Sequence, residues 1–594
     1  MCGIAGILGG DQGEAAIAEA YEMIGAIAHR GPNGIRVEQA AGATLAHARL
    51  SIIDLEGGWQ PLDAAGSTII GNGEIYNYIE LTEEFGLKDK LSTGSDFEPL
   101  LHLYAMEGEQ AFERLRGMYA FCLIGCDGRT WLVRDPFGIK PLYVWHGESG
   151  LTFASENRPP HAHKNASTLG QQSAVQLLTL GYKVEDRGSP TNPAVSPGAV
   201  LEWTGEELAT RGLIEPVLGG RIQFADEAEM LAQLDSILEN SVRVHQRSDV
   251  PYGLFLSGGV DSTAIATLMA RLNERPVTAF TCGFDIPEAR DERGAAEKVA
   301  RGLNLDWRET TFNEEDFWRI APEVASALDD PTTDYACLPT YKLAEAAKDT
   351  LTVVLSGEGG DELFGGYGRY RRALRPKWLG GRYAEPQINA PFLKAFLGQD
   401  VAKLMPDLAK MPYSAREPMI AWREAATLGV PENLTLLQKS QWADIATWLP
   451  NDLLLKLDRM LMAHGLEGRT PFLDREVAAF AFNLPDRMKV RGRYGKWILR
   501  KWLERACPAA QPWARKKGFT VPVAAWIAPR AADIGPRVAA CEGLAAVCDL
   551  DAVRAAFTDP AQAHNRWPLI FYALWWSIHV GGASKAEAAE AVLG

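Results

Sequence analysis

Phe255-Leu256-Ser257-Gly258-Gly259-Val260-Asp261-Ser262 joins an apolar run, GLFLS, to an apolar helical pattern, TAIATLMARL. A strand that turns at once into a helix leaves a glycine-rich loop at its end, where bare backbone can approach an anion closely. The helix start adds unpaired N–H groups and the positive end of its dipole. Ser257 and Ser262 offer hydroxyl donors, and Asp261 offers a carboxylate oxygen suited to Mg²⁺. The spacing is not GxxxxGK[ST], so this is no Walker A loop. It is not GxGxxG either, so it lacks the dinucleotide fingerprint. A bare SGG turn reads as structural; the full SGGVDS behind an apolar strand reads as a phosphate cradle.

Further along the chain, TLTVVL runs into a second such loop, Leu355-Ser356-Gly357-Glu358-Gly359-Gly360-Asp361-Glu362-Leu363-Phe364-Gly365-Gly366-Tyr367. Around the two loops strand-like and helical patterns alternate: a helix over 226–246, the strand VTAFTCGF and the helix ERGAAEKVARGL. That alternation predicts a parallel sheet with helices on both faces. In an open parallel sheet the loops at the strand carboxyl ends converge on one crevice, which brings Ser356 and Gly357 to the first loop. From about residue 390 the pattern is mainly helical.

The first 155 or so residues differ. Short β-like runs such as STIIGNGEI, GMYAFCLIG, TWLVRD and GLTFASE are separated by Gly, Asp and Asn turns, with helical patterns over 14–28 and 96–114. An α/β layered domain fits. Residues 157–200 are punctuated by Pro159, Pro160, Pro190, Pro193 and Pro197 and read as the domain's edge. A last strand is expected at Ala199–Trp203 and a linker over 204–225, which divides the chain into domains of residues 2–215 and 216–594.

The 594 residues carry a formal net charge of −16 and no long basic block, which argues against nucleic acid as the main partner. No apolar run approaches the roughly 18–20 residues that span a bilayer, so no membrane partner is expected. The first residues have neither the positive flank nor the apolar core of a signal peptide, and the cytoplasm is the expected compartment. Eight cysteines are too sparse for a disulfide scaffold. Cys122 and Cys126 read as two buried thiols, and His161 and His163 as solvated loop residues.

Cys2 follows the initiator Met. Removal of Met1 would put a thiol and a free α-amine on one residue, and an amine with a pKa of about 8 can serve as the local base for a thiol of about 8.5. A second-position Cys is weak alone. Here it is followed in order by His29-Arg30-Gly31-Pro32, His47-Ala48-Arg49-Leu50-Ser51-Ile52, Asn72-Gly73-Glu74-Ile75-Tyr76-Asn77 and Thr93-Gly94-Ser95-Asp96. Singly these have plain readings; Asn-Gly, for one, is a strong hairpin-turn signal. Together, through residues 2–155, they resemble the class II, N-terminal-nucleophile glutamine amidotransferases. The resemblance implies a four-layer αββα fold. It implies that Arg49 pairs with the glutamine α-carboxylate, that Glu74 and Asp96 hold the α-ammonium, and that Asn72 and Gly73 form the oxyanion hole. Many relatives have Asp where this chain has Asn33.

SGGVDS is similar to the PP-loop of ATP pyrophosphatases, and the second glycine-rich motif narrows the likeness to the asparagine synthetases and their close relatives, over 226–375 and again over 452–525. That resemblance implies an ATP site lined by Leu256, Ser257, Gly258, Gly259, Asp261, Ser262, Cys282, Ser356, Gly357 and Lys496. It implies Glu358 as the acid–base residue, Asp361 and Thr333 at the acceptor, and Asp261 and Asp361 as Mg²⁺ ligands. Lys516-Lys517-Gly518-Phe519 would add a basic patch, and Leu466-Glu467-Gly468-Arg469-Thr470-Pro471-Phe472-Leu473-Asp474 would shape the acceptor pocket. The implied small-molecule partners are glutamine, aspartate and ATP, with a shielded ammonia passage between domains; a homodimer is compatible with it. The chain departs from some bacterial relatives at Tyr335, where they have Arg, and over 376–440. Another carboxylate acceptor is the alternative.

Overall fold

The computed structural model describes residues 2–146, 150–158, 169–184, 193–216, 224, 226–286, 291–381, 413–427, 429–430, 434–514 and 521–594. His161, His163, Pro159, Pro160, Pro190 and the Lys516–Phe519 patch lie outside them, as does much of 376–440.

The N-terminal part is a sandwich of two antiparallel sheets. The first contains β1 (Gly3–Leu8), β2 (Ile35–Ala40), β3 (Ala43–Ala48), β8 (Tyr143–His146) and β9 (Leu151–Ala154), in the order β2-β3-β1-β9-β8. The second contains β4 (Leu62–Ala64), β5 (Ser67–Ile75), β6 (Gly117–Ile124), β7 (Thr130–Arg134), β10 (Ala199–Trp203) and β11 (Leu208–Leu213), in the order β11-β10-β7-β6-β5-β4. The period of two along a strand sorts side chains between layers. In β1, Ile4 and Leu8 face the second sheet, where they meet Ile70, Ala120, Cys122 and Leu132. Ala5 and Ile7 face outward onto Ala16, Ala20, Met23 and Ile24 of helix Glu14–Ala26. In β6, Tyr119, Phe121 and Leu123 face outward onto Leu100 and Leu101 of helix Glu98–Glu107. The result is the αββα stack.

The C-terminal part is built on five parallel strands: β12 (Tyr252–Phe255), β13 (Thr278–Phe284), β14 (Asp306–Phe312), β15 (Val353–Leu355) and β16 (Glu467–Arg469), in the order β14-β13-β12-β15-β16. The direction of winding reverses between β12 and β15. These two strands carry the two glycine-rich loops, so both loops open on the switch point, where such sheets bind ligands. Helices fill the rest, through Lys585–Val592. No helix among the described residues is long and apolar enough to cross a membrane.

Three expectations need correction. Part of the expected 204–225 linker is strand β11, paired along β10 from Ala199↔Leu213 to Trp203↔Leu208. Its sequence, LATRGL, is a largely solvent-facing edge without apolar alternation, so no periodic signal marked it. The proline-punctuated stretch contains helix Gln171–Leu180, whose Ala174, Val175, Leu177 and Leu178 are buried with Phe280 and Phe312 of the parallel sheet. Cys126 is exposed while Cys122 is buried: Gly125 N–H donates to Arg129 O at 2.8 Å, closing a turn with Cys126 at its tip.

The two parts share one core. Leu50, Ile52, Tyr76, Met118, Phe137 and Ile139 from the sandwich pack with Leu254, Leu256, Val353, Leu355, Met462 and Leu473 from the parallel unit. Beside it lies a buried ionic network. Arg30 donates to both oxygens of Asp458, at 2.7 and 3.0 Å, and to Glu156 at 3.1 Å. Arg459 donates to the same Asp458 at 2.6 Å, and through two nitrogens to Asp329. Burial raises the Asp458 carboxyl, but Arg30 and Arg459 outweigh it and hold it well below the usual range. Arg30→Ala would strand Asp458 in a buried site with half its charge partners gone, at a cost of ~3–5 kcal/mol. Calorimetry should show the melting transition lowered or split in two; an unchanged melt would mean the network does not hold the units together.

Candidate active site

The first centre lies at the start of β1. Cys2 N–H donates to Asn72 Oδ1 at 3.1 Å, its thiol to Leu50 O at 3.8 Å, and Arg30 Nε to Cys2 O at 3.3 Å. Burial raises the Cys2 thiol above its ordinary value, so it needs a base before it can attack. Asn72, Gly73 and Glu74 sit mid-strand in β5, opposite Ala120, Tyr119 and Met118 of β6; the hairpin-turn reading of Asn-Gly is therefore excluded. Asn72 is fully buried, and its Nδ2 has no hydrogen-bond partner among the described residues. A buried amide donor that is otherwise unpaired is a donor kept for a guest. Gly73 has φ of 138°, and a Cβ there would stand 2.0 Å from Met118 O. Only glycine allows that backbone.

Glu74 and Asp96 are both buried. Asp96 Oδ2 accepts from Ile75 N–H at 2.7 Å, yet burial pushes its carboxyl up to about 7. Burial, with Asp96 and Glu467 nearby, raises Glu74 well above the carboxylate range, and Arg469 works against that rise. A cationic guest between Glu74 and Asp96 would relieve both. Arg49 Nη2 donates to Asp54 O at 2.5 Å, and its guanidinium lies 4.9 Å over the Trp59 ring. Asn33 accepts from Ser51 N–H at 2.9 Å through Oδ1, and its own N–H donates to Arg49 O at 3.0 Å. An amide oxygen serves that loop anchor as a carboxylate would, which accounts for Asn33.

The second centre lies where β12 and β15 end. Ser257 Oγ and Ser262 Oγ are 3.0 Å apart, and Ser257 Oγ accepts from Gly259 N–H at 3.2 Å. The loop closes on itself, with Gly259 capping helix Val260–Leu272. Gly258 has φ of 70°, and a Cβ there would meet Ala296 N at 2.7 Å. A Cβ on Gly357 would stand 2.9 Å from the Asp261 Cβ, and one on Gly360 2.6 Å from Asp261 Oδ1. The second loop thus crosses directly over the first. Lys496, with φ of 55° at the cap of helix Trp497–Ala506, reaches Asp261 Oδ2 and, at 2.7 Å, Asp361 Oδ1. Burial works against its charge, but the two carboxylates outweigh it and keep the ammonium protonated. Leu256 N–H donates to Phe280 O at 2.9 Å, and Cys282 lies buried two residues beyond on β13.

Glu358 N–H donates to Ser356 Oγ at 3.4 Å, and burial raises the Glu358 carboxyl. Facing it is Lys456, whose Nζ is 2.8 Å from Asp334 Oδ2. Burial opposes the Lys456 charge, while Asp334, Glu358 and Asp452 more than restore it. Lys456 and Asp334 were not read from the sequence; a lone Lys in an amphipathic helix gives no signal. Thr333, by contrast, is tied to Gly181: its N–H donates to Gly181 O at 2.8 Å. Tyr335 remains 38% exposed at the rim.

Two such centres, one on an αββα sandwich and one on a doubly wound parallel sheet, define a protein in which an amidotransferase-type unit is docked on a nucleotide-type unit. The family model "Glutamine amidotransferase domain" matches residues 1–210, and the model "Asparagine synthase" matches residues 233–578. The chain belongs to the asparagine synthase family. It is 32% identical to asparagine synthetase [glutamine-hydrolyzing] 1 of Bacillus subtilis (strain 168), over 89% of this chain and 88% of that protein. It is also 32% identical to a putative asparagine synthetase [glutamine-hydrolyzing] of Mycobacterium tuberculosis (strain ATCC 25618 / H37Rv), over 98% and 97%. Identity to asparagine synthetase B [glutamine-hydrolyzing] of Escherichia coli (strain K12) is 28%, over 84% and 78%.

Asn72 Nδ2 has no hydrogen-bond partner among the described residues, so Asn72→Ala loses one contact in the protein, Cys2 N–H to Oδ1, and otherwise strikes the oxyanion. Glutamine hydrolysis should fall ~100–1000-fold in kcat, the usual cost of one oxyanion donor. A stopped assay of glutamate release measures it; a fall only in glutamine affinity would remove Asn72 from that role.

Proposed function

We propose that this chain makes asparagine from aspartate, with glutamine as the nitrogen donor and ATP cleaved to AMP and pyrophosphate. The observation that carries this reading is the union, on one chain and across one apolar interface, of a glutamine amidotransferase domain and an asparagine synthase domain, each with its site residues gathered. We take residues 2–215 as the amidotransferase domain and 216–594 as the synthetase domain. An ATP-consuming step of amino-acid metabolism fits the cytoplasm.

In the first domain the Cys2 thiol, once Met1 is removed, gives its proton to its own α-amine, and Sγ attacks the glutamine amide carbon. The oxyanion takes hydrogen bonds from Asn72 Nδ2 and Gly73 N–H. Collapse expels ammonia with the proton from the α-amine, and water hydrolyses the thioester to glutamate. Arg49 pairs with the glutamine α-carboxylate, while Glu74 and Asp96 hold its ammonium.

In the second domain an oxygen of the aspartate β-carboxylate attacks the α-phosphorus of ATP, and pyrophosphate leaves. The phosphates lie against the 257–262 loop, Ser356, Gly357 and Lys496. Asp261 and Asp361 are two carboxylates drawn onto one ammonium, a donor pair that fits Mg²⁺; the ion, when bound, neutralises phosphate charge. Ammonia attacks the acyl carbon, AMP leaves, and the surplus proton passes to Glu358, whose raised carboxyl suits it as acceptor and donor. Lys456 and Asp334 flank the acceptor's charged groups.

Purified protein given glutamine, aspartate, ATP and Mg²⁺ should yield asparagine and AMP in equal amounts by mass spectrometry. Cys2→Ala should make asparagine from ammonium but not from glutamine. Glutamate without asparagine or AMP would mean a different carboxylate acceptor, with the Tyr335 rim as the place to look. A second expectation concerns pH. Asp96 titrates at about 7 in the empty site, and only its carboxylate form can hold the glutamine ammonium. KM for glutamine should therefore rise as pH drops from about 8 to 6, with ammonium-dependent kcat, corrected for free ammonia, unaffected. A glutamine KM flat across that range would remove Asp96 from the ammonium site.

A further inference from the structure

Arg469 touches both centres through different parts of itself. Its guanidinium is fully buried. Nη2 lies 3.4 Å from Glu74 Oε1, the carboxylate of the glutamine site. Nε lies 2.5 Å from Glu467 Oε1, and Nη1 donates to the carbonyls of His245 and Arg247 at 2.9 and 2.6 Å. Its main chain faces the other way: Arg469 O accepts from Ser356 N–H at 2.8 Å, at the base of the loop that carries Gly357 and Glu358. The contact with the loop continues beyond Arg469. A Cβ on Gly359, where φ is 87°, would stand 2.3 Å from Leu473 Cδ2. Ser356 and Gly357 are thus one backbone hydrogen bond away from β16 and from the residue that faces Glu74.

We propose that Arg469 is a positioning residue that couples the two reactions: occupancy of the nucleotide loop, transmitted through β16, moves or steadies the guanidinium against Glu74 and so sets how well glutamine is held and hydrolysed. The inference rests on the two-centre reading above. Electrostatics support it. Of the charges around Glu74, Arg469 works most strongly against the rise that burial imposes on its carboxyl. Burial raises the Glu467 carboxyl too, but nearby positive charge, Arg469 included, holds it at about 2. The guanidinium thus sits between two carboxylates that compete for it. A small change in its position redistributes charge between the support (Glu467) and the glutamine contact (Glu74). The fork geometry matters, because a lysine could carry the charge but could not bond Glu467 and two carbonyls while facing Glu74.

The test uses the full-length protein and three variants: Arg469→Lys, Arg469→Gln, and Arg469→Gln with Glu467→Gln, which removes both buried charges in case the single change fails to fold. Glutamine hydrolysis is measured with and without ATP, Mg²⁺ and aspartate, alongside asparagine formation from ammonium. In the wild type, ATP with aspartate should stimulate glutaminase. In Arg469→Gln and the double variant the stimulation should vanish and KM for glutamine should rise by about tenfold, a larger effect than any fall in ammonium-dependent synthesis. Arg469→Lys should restore much of the KM but none of the stimulation. Wild-type stimulation retained in the variants overturns the proposal, as does a wild type that shows none. So does a parallel loss of glutaminase and ammonium-dependent synthesis in every folded variant, which marks a purely structural residue. Asparagine formation from ammonium by the wild type tests the underlying reading separately.

Discussion

Charge buried between two otherwise apolar surfaces fixes how this chain is assembled. Arg30, Glu156 and Tyr143 come from the sandwich; Asp329, Asp458 and Arg459 come from the parallel unit. Apolar packing alone is non-directional, and Leu50, Ile52 or Met118 could slide against Leu355 or Met462 at little cost. Buried ions cannot slide. Their desolvation costs several kcal/mol each, and only fork-to-carboxylate geometry offsets it. A docking shifted by a few ångströms would take Arg30 from Asp458 and Tyr143 from Arg459, leaving the buried Arg30 guanidinium without its partner across the interface. The network therefore selects one orientation, and that orientation brings Leu50, beside Cys2, into the same core as Leu355, at the edge of the nucleotide loop.

Within the parallel unit the constraint is backbone proximity. Gly258 packs on Ala295 and Ala296, Gly357 and Gly360 pack on Asp261, and Gly359 packs on Leu473. Each contact is closer than a side chain allows, so the two loops form one layered surface at the switch point. Lys496 then clamps the layers by pairing with Asp261 and Asp361. Its left-handed backbone at the helix cap is the local strain that places its ammonium there.

The parts of this arrangement legible in the sequence were those whose signal is local. SGGVDS and SGEGGD mark strand ends because glycine patterns sit next to apolar runs. Cys2, Arg49, Asn72 and Asp96 were legible because five motifs fall in a fixed order. Residues whose role depends on distant chain segments were not. Lys456 faces Glu358 only because helix Leu454–Met462 packs across the sheet edge, and Arg469 faces Glu74 only because the two units dock. Strand β11 and helix Gln171–Leu180 were missed for related reasons. The first is a polar edge strand. The second lies in a proline-rich stretch, and its apolar face is satisfied by the other unit.

The interface also answers a chemical problem that the proposed reaction sets. In water near neutral pH ammonia is held mostly as ammonium, whereas an apolar medium disfavours the charged form, and ammonium is no nucleophile. A passage between Cys2 and Glu358 must therefore lack both water and proton donors. Leu50, Ile52, Met118, Leu256 and Leu355 make the core that joins the two units apolar. Arg30, Arg459 and Arg469 stay charged at this boundary, each paired with buried carboxylates. At the glutamine end, burial raises Glu74 and Asp96, and Arg469, 3.4 Å from Glu74, works against that rise. At the synthetase end, burial raises Glu358, the direction that suits the proton-accepting role proposed for it. The same burial that makes the docking demanding thus raises carboxyls at both centres.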